Sequence, residues 1–412
     1  MTKDYWFPSL LQSSNWIYTD SWYDLDKFKC DKHHNTHRHK SKIKTHFLKS
    51  IKIKIYPTDK QIKILVRWFD LHTAIYNLTN NYIKPIYKST KKIDTFYNVR
   101  EHFTDFLHNV STKNNIYRHT LDQAVKHCLD MYKSGIEQIK SGYRRHFDIK
   151  DLKYDRRRKN VIFESNTFSK VFNGIGLLGK LQSDSPLSNI NHNCILQYDS
   201  YKKVYYMIIP KDESIDKNMK RKDKCGIDLG VRTFATIYSG DRVRVIGNHI
   251  LSTIDRYNAK IADLHSALDV GAITKAKYKK VRERNYEKMR NRIDDMHKKT
   301  AVYLCKQFDV INIGKVSIQS MTSNLTGNIG SITKRRLLVL SFYKFYQILR
   351  YIGIKYGTKI NEVNEYMTSK KCHRCGNIKK DLGANKIYAC NNKKCGIKLD
   401  RDVNASINIY KM

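Results

Sequence analysis

The stretch Cys372-His373-Arg374-Cys375-Gly376, continued by Cys390-Asn391-Asn392-Lys393-Lys394-Cys395-Gly396 and then by Asp400-Arg401-Asp402-Val403-Asn404-Ala405, decides how the rest of the chain is read. It holds two cysteine pairs, spaced C-x2-C and C-x4-C, with a hairpin-sized insert between them. Four thiolates at this spacing close a tetrahedral Zn²⁺ site, and Gly376 and Gly396 allow the turn of each cysteine knuckle. The competing reading is four free buried thiols. An acidic, helix-opening motif follows directly. Most zinc ribbons are scaffolds, so the function has to be sought in the ribbon's neighbours.

Composition narrows the classes. The chain has 412 residues, room for about two to four domains and a sizeable core. Lys and Arg number 78 against 38 Asp and Glu, a formal charge of +40. Such an excess points to a polyanionic partner, nucleic acid before a membrane surface, because no amphipathic basic helix stands out. An AT-rich genome would raise Lys and Asn together and explains part of the bias. No apolar run approaches transmembrane length, and the N-terminus lacks a secretory pattern. Nine cysteines, with Cys30, Cys128, Cys194, Cys225 and Cys305 scattered, suit a reducing intracellular compartment.

Residues 1–46 read as a basic extension in which Trp6, Trp16 and Trp22 mark docking points. Cys30, His33, His34, His37 and His39 are either a second metal cluster or incidental histidines on a flexible arm; no turn chemistry frames them. Residues 47–56 alternate apolar and basic side chains, the pattern of a half-buried strand with a lysine face. Pro57 ends it, and Thr58 to Gln61 spell a capping box opening a helix with Ile62, Leu65, Phe69 and Leu71 inward. Helical patterns continue to about residue 140. Their tyrosines are core edges or stacking platforms for nucleic acid. The basic run 143–160 is a solvated face or a sheet surface contacting phosphates, beside strands at 161–163, 194–198 and 204–210. Residues 212–224 read as a charged linker.

Next comes Cys225-Gly226-Ile227-Asp228-Leu229-Gly230, with residues 233–238 as the second strand of a hairpin. An aspartate in an apolar strand is costly unless it is paired or binds a metal; a turn aspartate capping amides is the alternative. Residues 254–308 read as helix, with Met289, Ile293, Met296, Thr300, Leu304 and Phe308 in the core and Arg282, Arg284, Arg290 and Arg292 outside. Residues 309–318 read as a buried strand. Residues 334–356 read as a helix carrying Leu338, Phe342, Leu349 and Ile352, and 359–365 as a further strand. The order is that of an α/β layer. Asp228, Glu365 and Asp402 can then converge. Carboxylates of this kind hold Mg²⁺ or Mn²⁺, and a pair of such ions stabilises attacking and leaving oxygens in phosphodiester cleavage. Asp402 has an alternative role as a helix N-cap.

The GIDLG motif, the Glu365-Tyr366-Met367-Thr368-Ser369 run into the first knuckle, and DRDVNASINI after the second, in this order, resemble the split RuvC-like nuclease of the TnpB/Fanzor family. That family comprises transposon-associated, RNA-guided DNA endonucleases related to type V CRISPR effectors. The segment from Lys52 to Leu65 is similar to the family's opening strand and helix. Bacterial members usually carry their second catalytic acid at the end of the strand spelled here Val310 to Lys315, and this chain has none there. The Fanzor branch of eukaryotes and giant viruses resembles it instead, with the glutamate moved to the neighbouring strand. Strands lie about 4.8 Å apart, within reach of one metal. Glu362 is the reserve ligand, although alternation turns it to the opposite face from Glu365.

The resemblance implies a multidomain α/β protein. An OB-like wedge β-barrel (47–57 and 143–211) would be interrupted by a helical recognition domain (58–142). After the linker, a RuvC/RNase H-like nuclease domain (225–371 and 396–412) would carry an inserted zinc ribbon (372–395). It further implies Asp228, Glu365 and Asp402 as catalytic Mg²⁺ or Mn²⁺ ligands and Cys372, Cys375, Cys390 and Cys395 as structural Zn²⁺ ligands. A transposon-encoded guide RNA and double-stranded target DNA would be the partners, in the nucleus for a eukaryotic or viral source and the cytoplasm for a bacterial one. A catalytically inactive RNA/DNA-binding relative and a guide-independent DNA transposase stay open.

Overall fold

The computed structural model describes residues 46–142, 144–172, 177–188, 190–215, 222–316, 330–383 and 385–412. The N-terminal extension, with its tryptophans and its Cys30/His33/His34/His37/His39 group, lies outside the described residues. The chain divides into two compact units; of the described residues Leu48–Glu213 form the first, and Ser214–Met412, with His46 and Phe47 at the start of the first strand, the second.

In the first unit, β1 (His46–Tyr56) leads into α1 (Asp59–Thr90) through the expected capping box. The Gln61 amide donates to Thr58 Oγ1 (3.4 Å) and the Thr58 amide to Gln61 Oε1 (2.9 Å). Helices α2 (Phe96–His102), α3 (Thr104–Asn114) and α4 (Arg118–Lys140) follow. The chain then forms β2 (Arg158–Phe163), α5 (Ser165–Phe172), β3 (Gln182–Ser183), β4 (Cys194–Asp199) and β5 (Val204–Ser214). The sheet order is β2-β4-β5-β1-β3, so the helices α1–α4 are an insertion between two strands of one sheet. Trp68, Phe69 and Tyr76 of α1, Tyr132 of α4 and Phe163 of β2 fill one core, which assigns Tyr76 and Tyr132 to packing, whereas Tyr97 is 74% exposed.

The end of the basic run differs from a phosphate-facing surface. Arg156 donates to Thr73 Oγ1 (2.8 Å), Arg157 and Arg158 pair with Asp199 (3.6 and 3.7 Å), and Lys159 pairs with Asp70 (3.0 Å). These cations bind β2 to α1 and β4.

The second unit is built on β6 (Lys222–Leu229), β7 (Ala235–Tyr238), β8 (Val243–Ile246), α6 (Ile250–Asp269), α7 (Lys275–Gln307), β9 (Phe308–Gly314), α8 (Ser331–Leu340), α9 (Phe342–Tyr356) and β10 (Lys359–Val363). A two-stranded ribbon, β11 (Ile387–Ala389) and β12 (Lys398–Asp400), precedes α10 (Arg401–Lys411). The sheet order is β10-β9-β6-β7-β8, parallel through β10, β9 and β6 and antiparallel beyond.

Several expected boundaries move. The charged linker is shorter than 212–224, because β5 runs to Ser214 and β6 starts at Lys222; alternating charges there still pair their backbone, Lys224 standing opposite Val310. The long helix is two, split where Gly271 takes φ +73° and Thr274 caps α7. The helix expected at 334–356 is broken at Ser341 (φ 48°), whose amide bonds back to Leu337. Phe308 opens β9 rather than ending a helix, and β9 stops at Gly314. Arg282 and Arg290 are half-buried beside Glu283 (3.7 and 3.8 Å) rather than free on a solvated face.

Candidate metal and acid site

Asp228 sits near the end of β6, where Ile227 stands beside Ile313 of β9 and Gly314 in turn beside Val363 of β10. Residues at equivalent levels of parallel strands face the same way, so Asp228, Gly314 and Val363 share one face. That face carries α10. Gly226 makes the approach possible: a Cβ there would lie 2.4 Å from both Ser406 O and Tyr410 N. The first glycine of the motif is thus needed for backbone-on-backbone packing, which brings the N-terminal end of α10, with Asp402, to the level of Asp228.

Asp402 is not the helix cap. Asp400 is the N-cap, its side chain accepting from the Asp402 and Val403 amides (2.8 and 3.2 Å). The carboxylate of Asp402 is left to other work. Glu365 lies just past β10, two residues beyond the strand's last residue. Its side chain occupies the place a side chain at Gly314 would take, with Oε2 only 2.9 Å from an ideal Cβ. Glu362 goes the other way and pairs with Arg350 of α9.

All three acids are half-buried. Burial, then the Asp402 and Glu365 charges, push the pKa of Asp228 well above the carboxylate range, against the pull of Arg401. Burial raises Glu365, and burial with Asp400 raises Asp402 against Arg232, Arg401 and Lys386. Three like charges brought together out of bulk water are unfavourable unless a proton or a cation sits among them. Their hard oxygen donors fit Mg²⁺ or Mn²⁺.

The cysteines form a tighter group. The Sγ atoms of Cys372, Cys375, Cys390 and Cys395 all lie within 4.8 Å of one another, the only group of three or more His, Cys, Asp or Glu drawn so close among the described residues. Cys372 and Cys395 are 3.8 Å apart and Cys375 and Cys390 3.5 Å. Tetrahedral Zn–S bonds of about 2.3 Å require sulfurs about 3.8 Å apart, so the donor set fits zinc. Gly376 and Gly396 have φ of +77° and +57°, the left-handed knuckle turns expected of them. The remaining described cysteines, Cys128, Cys194, Cys225 and Cys305, are buried thiols.

Two asparagines connect ribbon and helix. Asn404 and Asn408, one turn apart on α10, both donate to Lys371 O (2.8 and 2.7 Å); Asn408 also donates to Thr368 O (2.8 Å). Asn404 Oδ1 accepts from the His373 amide (3.0 Å). Arg401 donates to Gly383 O (2.9 Å). The DRDVNASIN motif therefore divides its labour: a cap, a ribbon anchor, an acid and a two-residue clamp on the segment between Glu365 and Cys372. The clamp was not read from sequence, although buried asparagines spaced i, i+4 on an apolar helix face are its signal. Gly314 and Tyr346, which donates to Gly314 O and accepts from the Val316 amide (3.2 Å), were also missed.

Architecture and site together define a two-unit α/β protein with a zinc-ribbon-like cluster beside an acid cluster. The fold is shared with Cas12f1 in its complex with single-guide RNA and target DNA (TM-score 0.54, 13% identity, covering 89% of this chain and 99% of that one). Residues 342–409 match the Cas12f1-like TNB domain, 207–325 a probable transposase family and 47–92 a helix-turn-helix domain. Over that last range this chain forms a strand and one long helix. TnpB-like protein L79 of Acanthamoeba polyphaga mimivirus is 34% identical, covering 99% of this chain and 85% of that protein. TnpB-like protein R854 of the same virus is 33% identical, covering 99% and 84%. The putative transposase A625R of Paramecium bursaria Chlorella virus 1 is 22% identical, covering 88% and 86%. The chain belongs to the TnpB family.

Proposed function

We propose that the chain is an RNA-guided DNA endonuclease associated with a transposable element, cutting phosphodiesters at a RuvC-like site. The carrying observation is the placement of Glu365 against side-chain-less Gly314, on the face of Asp228, with Asp228 feeling the charge of both Glu365 and Asp402. An acid lost from one strand and regained beyond its neighbour is what a retained active centre calls for. An inert relative would have no use for a half-buried Asp228 that carries the charges of both Glu365 and Asp402 beside it.

In this reading Asp228, Glu365 and Asp402 hold Mg²⁺ or Mn²⁺. Such ions, when bound, neutralise the phosphate and lower the pKa of a coordinated water. The protein fixes the three oxygens: Asp228 from the central strand, Glu365 from the turn after the edge strand, and Asp402 from a helix that Asp400 caps in its place. The four cysteines hold Zn²⁺ as structure. Residues 47–57 and 143–211 serve as the OB-like wedge, 58–142 as the recognition insert, and 225–371 with 396–412 as the nuclease domain around the 372–395 ribbon. Recognition of a guide–target duplex by shape and backbone needs broad positive charge, which the +40 balance supplies. Family membership supports RNA and DNA as partners, and the viral relatives favour the giant-virus branch.

The test is cleavage of a plasmid carrying a guide-matched target behind a randomised flank, by protein co-expressed with RNA from its own flanking region. Mg²⁺-dependent cutting abolished by omitting the guide match is the expected result. RNA retained without cutting would favour the inert binder, and cutting without RNA the guide-independent transposase.

A further inference from the structure

Gly314 ends β9 at the level of Asp228, and its missing side chain has a specific occupant. A Cβ built there meets Glu365 Oε2 at 2.9 Å, Ile409 Cδ1 at 3.2 Å and Glu365 Cβ at 3.3 Å. Two of the three nearest atoms belong to the glutamate, and real Cβ atoms essentially never approach within 3.0 Å. The glycine cannot retreat to make room. Its carbonyl accepts from the buried Tyr346 phenol, the next amide, Lys315, donates to Val363 O (2.8 Å), and the Val316 amide donates back to the same phenol (3.2 Å). The backbone is therefore held from two neighbouring elements, α9 and β10. Gly314 is not in the left-handed region, so no backbone preference calls for a glycine there.

From this geometry we infer that Gly314 is a positioning residue for Glu365: the absent Cβ is the seat of the carboxylate, and Tyr346 keeps that seat from closing. A side chain on the strand end and the acid of the following turn therefore compete for one space, and the flexible end of Glu365 is what has to shift. The inference rests on the proposed role of Glu365 as a cation ligand, and it adds a residue that touches no substrate or metal and acts only through the glutamate.

The test is a double-mutant cycle on the full-length chain, read by Mn²⁺ affinity from electron paramagnetic resonance and by thermal unfolding with zinc retained. Wild type is compared with Gly314→Ala, Glu365→Ala and the double variant. Gly314→Ala is expected to weaken Mn²⁺ binding about 10-fold or more, the scale of a lost ligand-orienting partner, and to add less than about 2-fold in the Glu365→Ala background. It should also lower the melting temperature more in the wild-type background than in the Glu365→Ala background. An equal effect in both backgrounds, on affinity or on melting, overturns the inference, because Gly314 would then be ordinary packing space under Ile409. No effect in either background overturns it too. Should Gly314→Ala fold only when Glu365 has been removed, the conflict with the glutamate is established directly; failure to fold in both backgrounds refutes it. Wild type and Glu365→Ala binding Mn²⁺ equally would instead remove the ligand role on which the inference stands.

Discussion

Two ligand-type clusters share the second unit and are built in opposite ways. The cysteines come from one short segment whose own backbone shapes the site: Gly376 and Cys395 amides bond back to Cys372 O and Asn392 O, and the sulfurs are already at metal-binding separation. The Asn377 amide, above all, brings the Cys375 thiol down to about 7, although Cys390 is raised, chiefly by burial, and Cys395 is pushed up to about 11. The acids come from a central strand, a turn after an edge strand and a helix terminus far along the chain. They are spaced more loosely than the sulfurs, and all three are pushed towards protonation. A closed local site suits a resident structural ion. An open site assembled from distant elements suits ions that arrive with substrate, and its cost falls on the stability of the empty protein.

That contrast is broken or sharpened most strongly at the cysteines. Cys372→Ser should eliminate the bound zinc and unfold the ribbon, since structural zinc contributes about 10–16 kcal/mol of apparent binding energy in finger peptides. Metal stoichiometry and proteolysis between residues 372 and 400 would record it. A ribbon that stays protected without zinc would mean that what remains of its small core, Leu382 and Tyr388, suffices.

Asp228→Asn should do the reverse to stability. Cutting is expected to fall at least about 100-fold, as for loss of a preorganised charge-stabilising group, while the protein unfolds at higher temperature in magnesium-free buffer. The pH dependence has a definite sign. A carboxyl whose folded pKa lies above its unfolded value of about 4 binds more protons folded than unfolded, so its contribution is favourable at low pH and is lost as pH rises through the raised value. The stability gained by Asp228→Asn over wild type should therefore grow between the ordinary carboxylate range and neutrality. Mn²⁺ affinity of the wild type should rise over the same interval. A gain that shrinks with pH would show that the folded protein favours the ionised acid.

Asn408→Ala tests the join between the two clusters. It takes the close donor (2.8 Å) from Thr368 O and leaves Lys371 O with Asn404 alone, at a cost of about 1–3 kcal/mol, measurable by denaturant unfolding with zinc still bound. The smallest effect is expected at Glu362→Ala, which gives up an ion pair to half-exposed Arg350 worth at most about 1 kcal/mol and should leave cutting within about 2-fold.

Much of this was legible in the sequence because the signals are local. Thr58 and Gln61 spell their own cap, the cysteine spacing and its glycines spell the knuckles, and an aspartate inside an apolar strand demands a reason. Boundaries were less legible where charge masks backbone pairing, as at residues 212–224, and where a single left-handed residue, Ser341, interrupts an apolar periodicity. The role of Gly314 could not be read at all, and Asn404 and Asn408 offered only their i, i+4 spacing, since each depends on what a distant segment places against it. Even so, strand alternation did separate Glu362 from Glu365, and Asp400 rather than Asp402 proved to be the cap.

The most direct measurement is Mg²⁺-dependent cleavage of the guide-matched plasmid by wild type, Glu365→Ala and Glu362→Ala, each carrying its RNA. Cutting by wild type and Glu362→Ala with none by Glu365→Ala is the expected result and would place the relocated glutamate in the active centre. Undiminished cutting by Glu365→Ala would contradict it.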